Sequence, residues 1–194
     1  TPKFIIYSFN KENLNLIKEI DRKLKFPVVV KPINEGSSVN VYICTKKNIK
    51  KILNSMKSYK RVIIEEFIAG REIQVAIMGN KKLGAIELKP KRKFYDYQAK
   101  YNSKAKTEHI IPVDMAKKKL EEVMNMALRA HKIIGCKGIS RSDFKFYKNK
   151  FYILELNTQP GMTKLSLVPE IANYNGIKFI KLLEWIINDS STKR

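Results

Sequence analysis

A chain of 194 residues, 44% hydrophobic and 29% charged, has the composition of an ordinary soluble globular protein and the length for one large domain or two small ones. Its 39 Lys and Arg against 18 Asp and Glu give +21 at pH 7 and argue for an anionic partner such as nucleic acid, a membrane surface or a polyphosphate, although basic residues spread over every segment are also what a compositional habit produces. No apolar run reaches membrane-spanning length, Thr1-Pro2-Lys3-Phe4 lacks signal-peptide order, and Cys44 and Cys136 are isolated thiols without metal-ligand spacing, so the expectation is a cytoplasmic protein with no disulfide framework.

In chain order, the apolar run Phe4 to Ser8 precedes a helix that Asn10 is expected to cap and that continues to about Lys25, with Ile17, Ile20 and Leu24 at helical spacing. Phe26 to Pro32 reads as a β-branched strand entered and left by prolines, which puts Lys31 at its end. Asn34-Glu35-Gly36-Ser37-Ser38 is a flexible polar loop, Val39 to Cys44 alternates as a returning strand, and Ile49, Ile52, Leu53 and Met56 mark a helix with one apolar stripe. Arg61 to Ile68 is a further strand, carrying Glu65 and Glu66 and broken by Ala69-Gly70-Arg71.

Gly79-Asn80 is a hairpin signal that pairs Glu72 to Met78 with Lys82 to Leu88. From Lys89 to Lys106, basic residues far outnumber the single acid Asp96, and Phe94, Tyr95, Tyr97 and Tyr101 are interleaved. A long loop of this kind is expected to serve as a lid over an anion, here set at residues 89–110. Asp114 is expected to cap the longest helix, with Leu120, Val123, Ala127, Leu128 and Ile134 inward and Gly135 at its end. Val168 to Asn173 is a short helix, and Phe179, Leu182, Leu183 and Ile186 give the last one. Helices mixed with mostly antiparallel strands predict an α+β protein in two parts, 1–68 and 69–194.

The stretch richest in chemistry is a predicted hairpin. Gly138 to Phe146 and Phe151 to Asn157 alternate on either side of the polar turn Tyr147-Lys148-Asn149-Lys150. Side chains two apart share a face, which sets Arg141 with Asp143 and Glu155 with Asn157. Two carboxylates and an amide oxygen beside a guanidinium are hard ligands that suit Mg²⁺, an ion that takes few protein ligands when substrate phosphates supply the others. A cross-strand ion pair on an exposed face is the plainer account of either strand alone. The polar, Gly-containing loop from Thr158 to Ser166 that follows directly favours a metal and anion site.

Lys31 before a Gly-Ser-Ser loop and Lys100 in the basic loop add point charges, and loop N–H groups with Ser hydroxyls can cradle phosphate oxygens. A nucleoside triphosphate with its metal satisfies all three groups. Glu35-Gly36-Ser37-Ser38 is not a Walker sequence. Glu65 to Ile68 offer backbone groups to an adenine edge, and Glu72 a carboxylate to ribose hydroxyls.

Lys31-Pro32 with Gly36-Ser37-Ser38, Glu65-Glu66-Phe67-Ile68 with Gly70-Arg71-Glu72, Phe94-Tyr95-Asp96-Tyr97 with Ala99-Lys100-Tyr101, Arg141 with Asp143, and Glu155 through Ser166 occur in that order. Together they resemble the D-alanine–D-alanine ligase family of the ATP-grasp superfamily, over essentially the whole chain. Each block is weak alone, and five in register are specific. The resemblance implies an ATP-grasp fold in which two α+β lobes with mostly antiparallel sheets clasp ATP. It implies a cytoplasmic enzyme that joins two D-alanines for peptidoglycan synthesis: ATP phosphorylates the carboxylate of one, and the amine of the other attacks the acyl phosphate.

By the same resemblance, Lys31 contacts nucleotide, Glu65, Glu66, Phe67 and Ile68 meet adenine, Glu72 holds ribose, and Ser37 belongs to a small phosphate and substrate loop. Lys100 approaches the γ-phosphate and Tyr101 helps hold the lid shut. Asp143, Glu155 and Asn157 bind two Mg²⁺ (or Mn²⁺), Arg141 and the Gly161 N–H stabilise the oxyanion, and Ser166 with Leu167 receives the second D-alanine. The implied partners are D-alanine and a second copy in a homodimer, with neither nucleic acid nor membrane.

Two departures stand out. Asn40 occupies a position where the family usually has Gly, and Asn is the non-Gly residue that best tolerates positive φ. The family's N-terminal domain, which binds the first D-alanine, and a lysine just upstream of Thr1-Pro2 are not in this sequence, so the chain reads as the central and C-terminal part of a ligase that would not make dipeptide alone. The alternatives are another ATP-grasp carboxylate–amine ligase, such as a D-alanine–D-lactate enzyme, and a non-catalytic basic nucleic-acid-binding module.

Overall fold

The computed structural model describes residues 1–10, 15–89 and 107–190. Two compact units separate in it, one formed by Thr1–Ala69 and one by Gly70–Lys89 with Glu108–Arg194.

The first unit is a four-stranded antiparallel sheet in the order β1-β4-β2-β3, from β1 (Phe4–Ser8), β2 (Val28–Pro32), β3 (Tyr42–Cys44) and β4 (Arg61–Glu66). Period-two alternation divides its faces. Val28, Val30, Val62 and Ile64 are fully buried in one core with Leu16 and Ile20 of α1 (Leu16–Lys23) and Ile49 and Leu53 of α2 (Ile49–Ser55). Each such aliphatic side chain contributes about 1.5–3 kcal/mol by leaving water. Cys44 lies in this core, and burial pushes its thiol pKa up to about 11, which leaves it unreactive at neutral pH.

The second unit is a five-stranded antiparallel sheet in the order β7-β6-β5-β8-β9, from β5 (Arg71–Met78), β6 (Lys81–Lys89), β7 (Glu108–Ile110), β8 (Ile139–Tyr147) and β9 (Lys150–Asn157). One face packs Ile73, Val75, Ile77, Phe144 and Phe151 against Val123 and Ala127 of α3 (Lys117–Ile133). On the other face, Ala76, Met78, Ile86 and Ile139 pack against α4 (Leu167–Tyr174) and α5 (Phe179–Asp189) through Val168, Ile171 and Leu182. That second apolar cluster stops at Ala76, and the next two side chains of β5 on the same face, Gln74 and Glu72, are polar and buried. Gly70 enters β5 at φ +148°, where a Cβ would stand 2.3 Å from the carbonyl oxygen of Phe146, so no side chain fits there.

The β8–β9 hairpin turns through Lys148 and Asn149 at φ 47° and 63°, the paired positive φ of a type I′ turn whose twist matches the strands. Its register then shifts: Phe144 opposes Ile153, and Asp143 opposes Glu155, with Leu154 bulged between.

Several expected boundaries move. The described helix α1 begins at Leu16 with Asn15 at its N-terminal flank, in place of Asn10, and residues 11–14 lie outside the described set. Only Tyr42–Cys44 forms the strand expected from Val39, because Ser37, Ser38 and Asn40 hold φ of 53°, 61° and 53°, which extended backbone cannot contain. Asn40 does adopt the positive φ expected of it, and its amide is held by Tyr59 and Tyr42. Asp114 does not cap α3. The N-cap is Ala116, and the Asp114 carbonyl instead accepts a hydrogen bond from Arg71 at 2.8 Å. Ile134 is 62% exposed, beyond the last helical turn that Gly135 closes at φ 72°.

Candidate active site

The alternation of β8 sends Ser140, Ser142 and Phe144 toward α3 and Arg141, Asp143 and Lys145 to the opposite face. Because Leu154 bulges, Glu155 and Asn157 join that opposite face, with Glu155 across from Asp143 and Asn157 across from Arg141. From β5, Glu72 lies across from Lys145 and Gln74 across from Asp143. Seven polar side chains from three strands thus share one patch.

Arg141 donates to both oxygens of Asp143, Nε to Oδ1 at 2.8 Å and Nη2 to Oδ2 at 3.0 Å, with side chains 15% and 6% exposed. A bidentate pair of this kind fixes the guanidinium plane. Each Asp143 oxygen accepts one N–H from Arg141 and keeps lone-pair capacity, and Asn157 Oδ1 accepts the Gln159 N–H at 2.9 Å while retaining a second lone pair. Lys145 donates to Glu72 at 2.9 Å. Among the described residues no three His, Cys, Asp or Glu side chains gather as a metal cluster, so the donor set here is two carboxylates and one amide oxygen. Hard oxygens alone, with two like charges opposed across the strands, fit Mg²⁺ or Mn²⁺ and not a soft metal.

The loop after β9 folds on itself. Ser166 at the N-terminal flank of α4 does not cap the helix. Its Oγ accepts from the Thr163 N–H at 3.1 Å and lies 2.9 Å from Thr163 Oγ1. A Cβ on Gly161 would come within 3.0 Å of that Ser166 oxygen, so the two residues are close neighbours. Leu167 opens α4 and packs into its core.

In the first unit, Lys31 and Glu65 meet on the sheet face away from α1 and α2 in an ion pair of 2.8 Å. Glu66 points to the other face, β4 ends there, and Phe67 and Ile68 follow it, Ile68 buried. Ser37 lies in the turn closed by the Val39 N–H on the Gly36 carbonyl. Lys100 and Tyr101, and the greater part of the expected lid, lie outside the described residues.

Sequence reading missed Gln74 and Lys145. Both stand two residues from a named carboxylate, Glu72 or Asp143, and strand periodicity was the signal that could have found them. On the reverse face, Arg71 makes two hydrogen bonds to Glu87 at 2.8 and 2.6 Å, which raise the guanidinium pKa above its ordinary value and anchor the approach to α3. This pair is structural.

Residues 3–188 match the family model described as "D-ala D-ala ligase C-terminus". The chain is 68% identical to the D-alanine–D-alanine ligase of Pelagibacter ubique (strain HTCC1062) over 194 residues, 100% of this chain and 64% of that one. A D-alanine–D-alanine ligase of Bacillus anthracis matches with a TM-score of 0.83 at 34% identity, covering 97% of this chain and 61% of the other. Its structure complexed with ATP matches with a TM-score of 0.80 at 32% identity over 97% and 60%. The chain therefore spans less than two thirds of the length of these relatives. The expected α+β class with antiparallel sheets and the expected ATP-grasp fold are both borne out.

Proposed function

The chain belongs to the D-alanine–D-alanine ligase C-terminus family, and from that premise we propose that it is the ATP-handling part of an enzyme that joins two D-alanines through an acyl phosphate for peptidoglycan synthesis. In this reading residues 1–68 are the smaller lobe, 69–194 the C-terminal lobe and 89–110 its lid. The observation that supports it most is the opposed Asp143 and Glu155 with Arg141 clasping Asp143.

Phosphoryl transfer asks little covalent help of a protein, so positioning and charge neutralisation carry it. Asp143, Glu155 and Asn157 would hold Mg²⁺ or Mn²⁺, which when bound neutralises charge on the phosphate oxygens. Arg141, held in orientation by Asp143, is a preorganised donor for the oxyanion that forms as the amine attacks, and the Gly161 N–H is its companion. Ser166 and Leu167 receive the second D-alanine. Glu72 accepts hydrogen bonds from ribose, and Lys31 with Glu65 to Ile68 holds the nucleotide base and phosphates. Ser37 supports the phosphates and substrate from its loop, Lys100 approaches the γ-phosphate, and Tyr101 helps close the lid. The first D-alanine is held by a domain outside this sequence. We place the enzyme in the cytoplasm as a homodimer; no described helix is long and apolar enough to cross a membrane.

The test is a titration of the protein with ATP and Mg²⁺ by thermal shift, paired with product analysis of the complete ligase on D-alanine and D-lactate. Stabilisation by nucleotide and formation of D-alanyl-D-alanine are expected. Stabilisation by RNA and none by ATP would overturn the reading, and a depsipeptide product would reassign the acceptor.

A further inference from the structure

Glu72 is a buried carboxylate of the polar patch that is held at both of its oxygens. Its Oε2 accepts from Lys145 Nζ at 2.9 Å, across β5 and β8 in direct register, and its Oε1 accepts from Gln74 Nε2 at a longer 3.3 Å. The Lys145 and Glu72 side chains are 16% and 10% exposed and Gln74 is 1% exposed, so this is not a screened surface pair. Each oxygen carries one donor and keeps acceptor capacity. A carboxylate held at both oxygens cannot swing, and its two remaining acceptor positions lie side by side, the spacing that the two hydroxyls of a vicinal diol match.

We propose that Lys145 is a positioning residue for sugar recognition, aiming Glu72 at both ribose hydroxyls so that ATP is preferred over its 2′-deoxy and 3′-deoxy analogues. The proposal rests on the reading of Glu72 as the ribose acceptor. Lys145 acts through Glu72 and makes no contact with nucleotide itself. A lysine suits the task because its ammonium offers three donors on a long stem that spans neighbouring strands, whereas a hydrophobic residue would leave the carboxylate to rotate.

Calorimetric titration of the protein with ATP, 2′-deoxy-ATP and 3′-deoxy-ATP in Mg²⁺ tests this. The parent protein should bind ATP about tenfold more tightly than either analogue, since each lost hydroxyl removes a hydrogen bond to a charged acceptor. In Lys145→Met the preference should collapse to within about twofold, and Lys145→Arg should restore most of it. Glu72→Gln/Lys145→Met removes both charges together and avoids stranding a buried carboxylate. Compared with Glu72→Gln alone, it should bind all three nucleotides unchanged. A Lys145→Met protein that keeps the parent preference overturns the positioning role. So does a double variant that binds all three nucleotides more weakly than Glu72→Gln, because Lys145 would then touch the nucleotide. A parent protein without any preference among the three overturns the reading of Glu72 on which the proposal stands, and is told apart from the other two outcomes by appearing before any substitution.

Discussion

Asp143 and Glu155 stand directly opposite one another across β8 and β9, while Arg141 binds both oxygens of Asp143 from two residues away. Like charges placed opposite on a sheet repel, and a divalent cation between them converts the repulsion into attraction.

The first prediction follows from that relationship. Mg²⁺ or Mn²⁺ at about 100 times its Kd should stabilise the protein by about 2.7 kcal/mol, a Tm rise of about 5–10 °C for a chain of this size. In Glu155→Gln the rise should shrink at the same metal concentration. Differential scanning fluorimetry reads both, and an equal rise in the two proteins would remove Glu155 from the metal site.

Arg141→Ala should lower the turnover of a ligase carrying this chain by roughly two to three orders of magnitude, the loss expected of one preorganised oxyanion donor. Arg141→Lys should recover little, because a single ammonium cannot reproduce the two parallel hydrogen bonds to Asp143. Steady-state kinetics with a circular dichroism control decides it, and activity within a few-fold of the parent would exclude the role.

On the α3 side of the same strand, Ser142 Oγ is buried and has no hydrogen-bond partner among the described residues, whereas its neighbour Ser140 lies 2.7 Å from His131 Nδ1. A buried hydroxyl without a partner is a cost to the fold. Ser142→Ala should therefore stabilise the protein by about 1 kcal/mol, and Ser140→Ala should destabilise it by about 1–2 kcal/mol. Urea denaturation of the two single variants gives opposite shifts in midpoint if the two serines differ as described.

His131 is 2% exposed, and burial lowers its pKa below the ordinary value despite the backbone carbonyl of Cys136. The folded protein keeps this ring neutral where the unfolded chain takes up a proton. Stability present above about pH 6.5 is lost as pH falls from there through the lower folded pKa. The urea midpoint of the parent should drop between pH 7.5 and pH 5.5 by more than that of His131→Gln, which has no group to protonate; equal drops would place the titration elsewhere.

Strand pairs, helices and the Arg141–Asp143 contact were legible because they depend on local period and on turn chemistry. The Lys148-Asn149 and Gly79-Asn80 turns are local decisions of the backbone. Asp114 carries a capping side chain but does not cap α3, because the helix starts further on with Ala116 at its N-cap, and the Asp114 carbonyl serves Arg71, 43 residues away. Strict alternation from Phe151 to Asn157 would have put Glu155 on the same side as Phe151, in the α3 core, and the bulge that prevents this left no mark recognisable in one sequence. Gln74 and Lys145 were within reach of the same period-two rule that found Arg141 with Asp143. An amide or a lysine on a strand is usually a surface residue, and nothing local in the sequence marks Gln74 as buried or Lys145 as mostly so.

The bulge at Leu154 makes the hairpin unequal in how it tolerates changes of length. Near the turn, an added or lost residue alters only the connection, and Phe151 and Ile153 remain paired with Phe146 and Phe144. Loss of the extra residue Leu154 would remove the bulge and leave Glu155 opposite Asp143 in a regular ladder, whereas loss of Leu156 would bring Asn157 opposite Ser142 and turn it toward α3. Position 154 can therefore vary in size and even be lost, while the count of residues from Glu155 to Asn157 cannot change, so this hairpin should accept insertions at its tip and refuse a single deletion at Leu156.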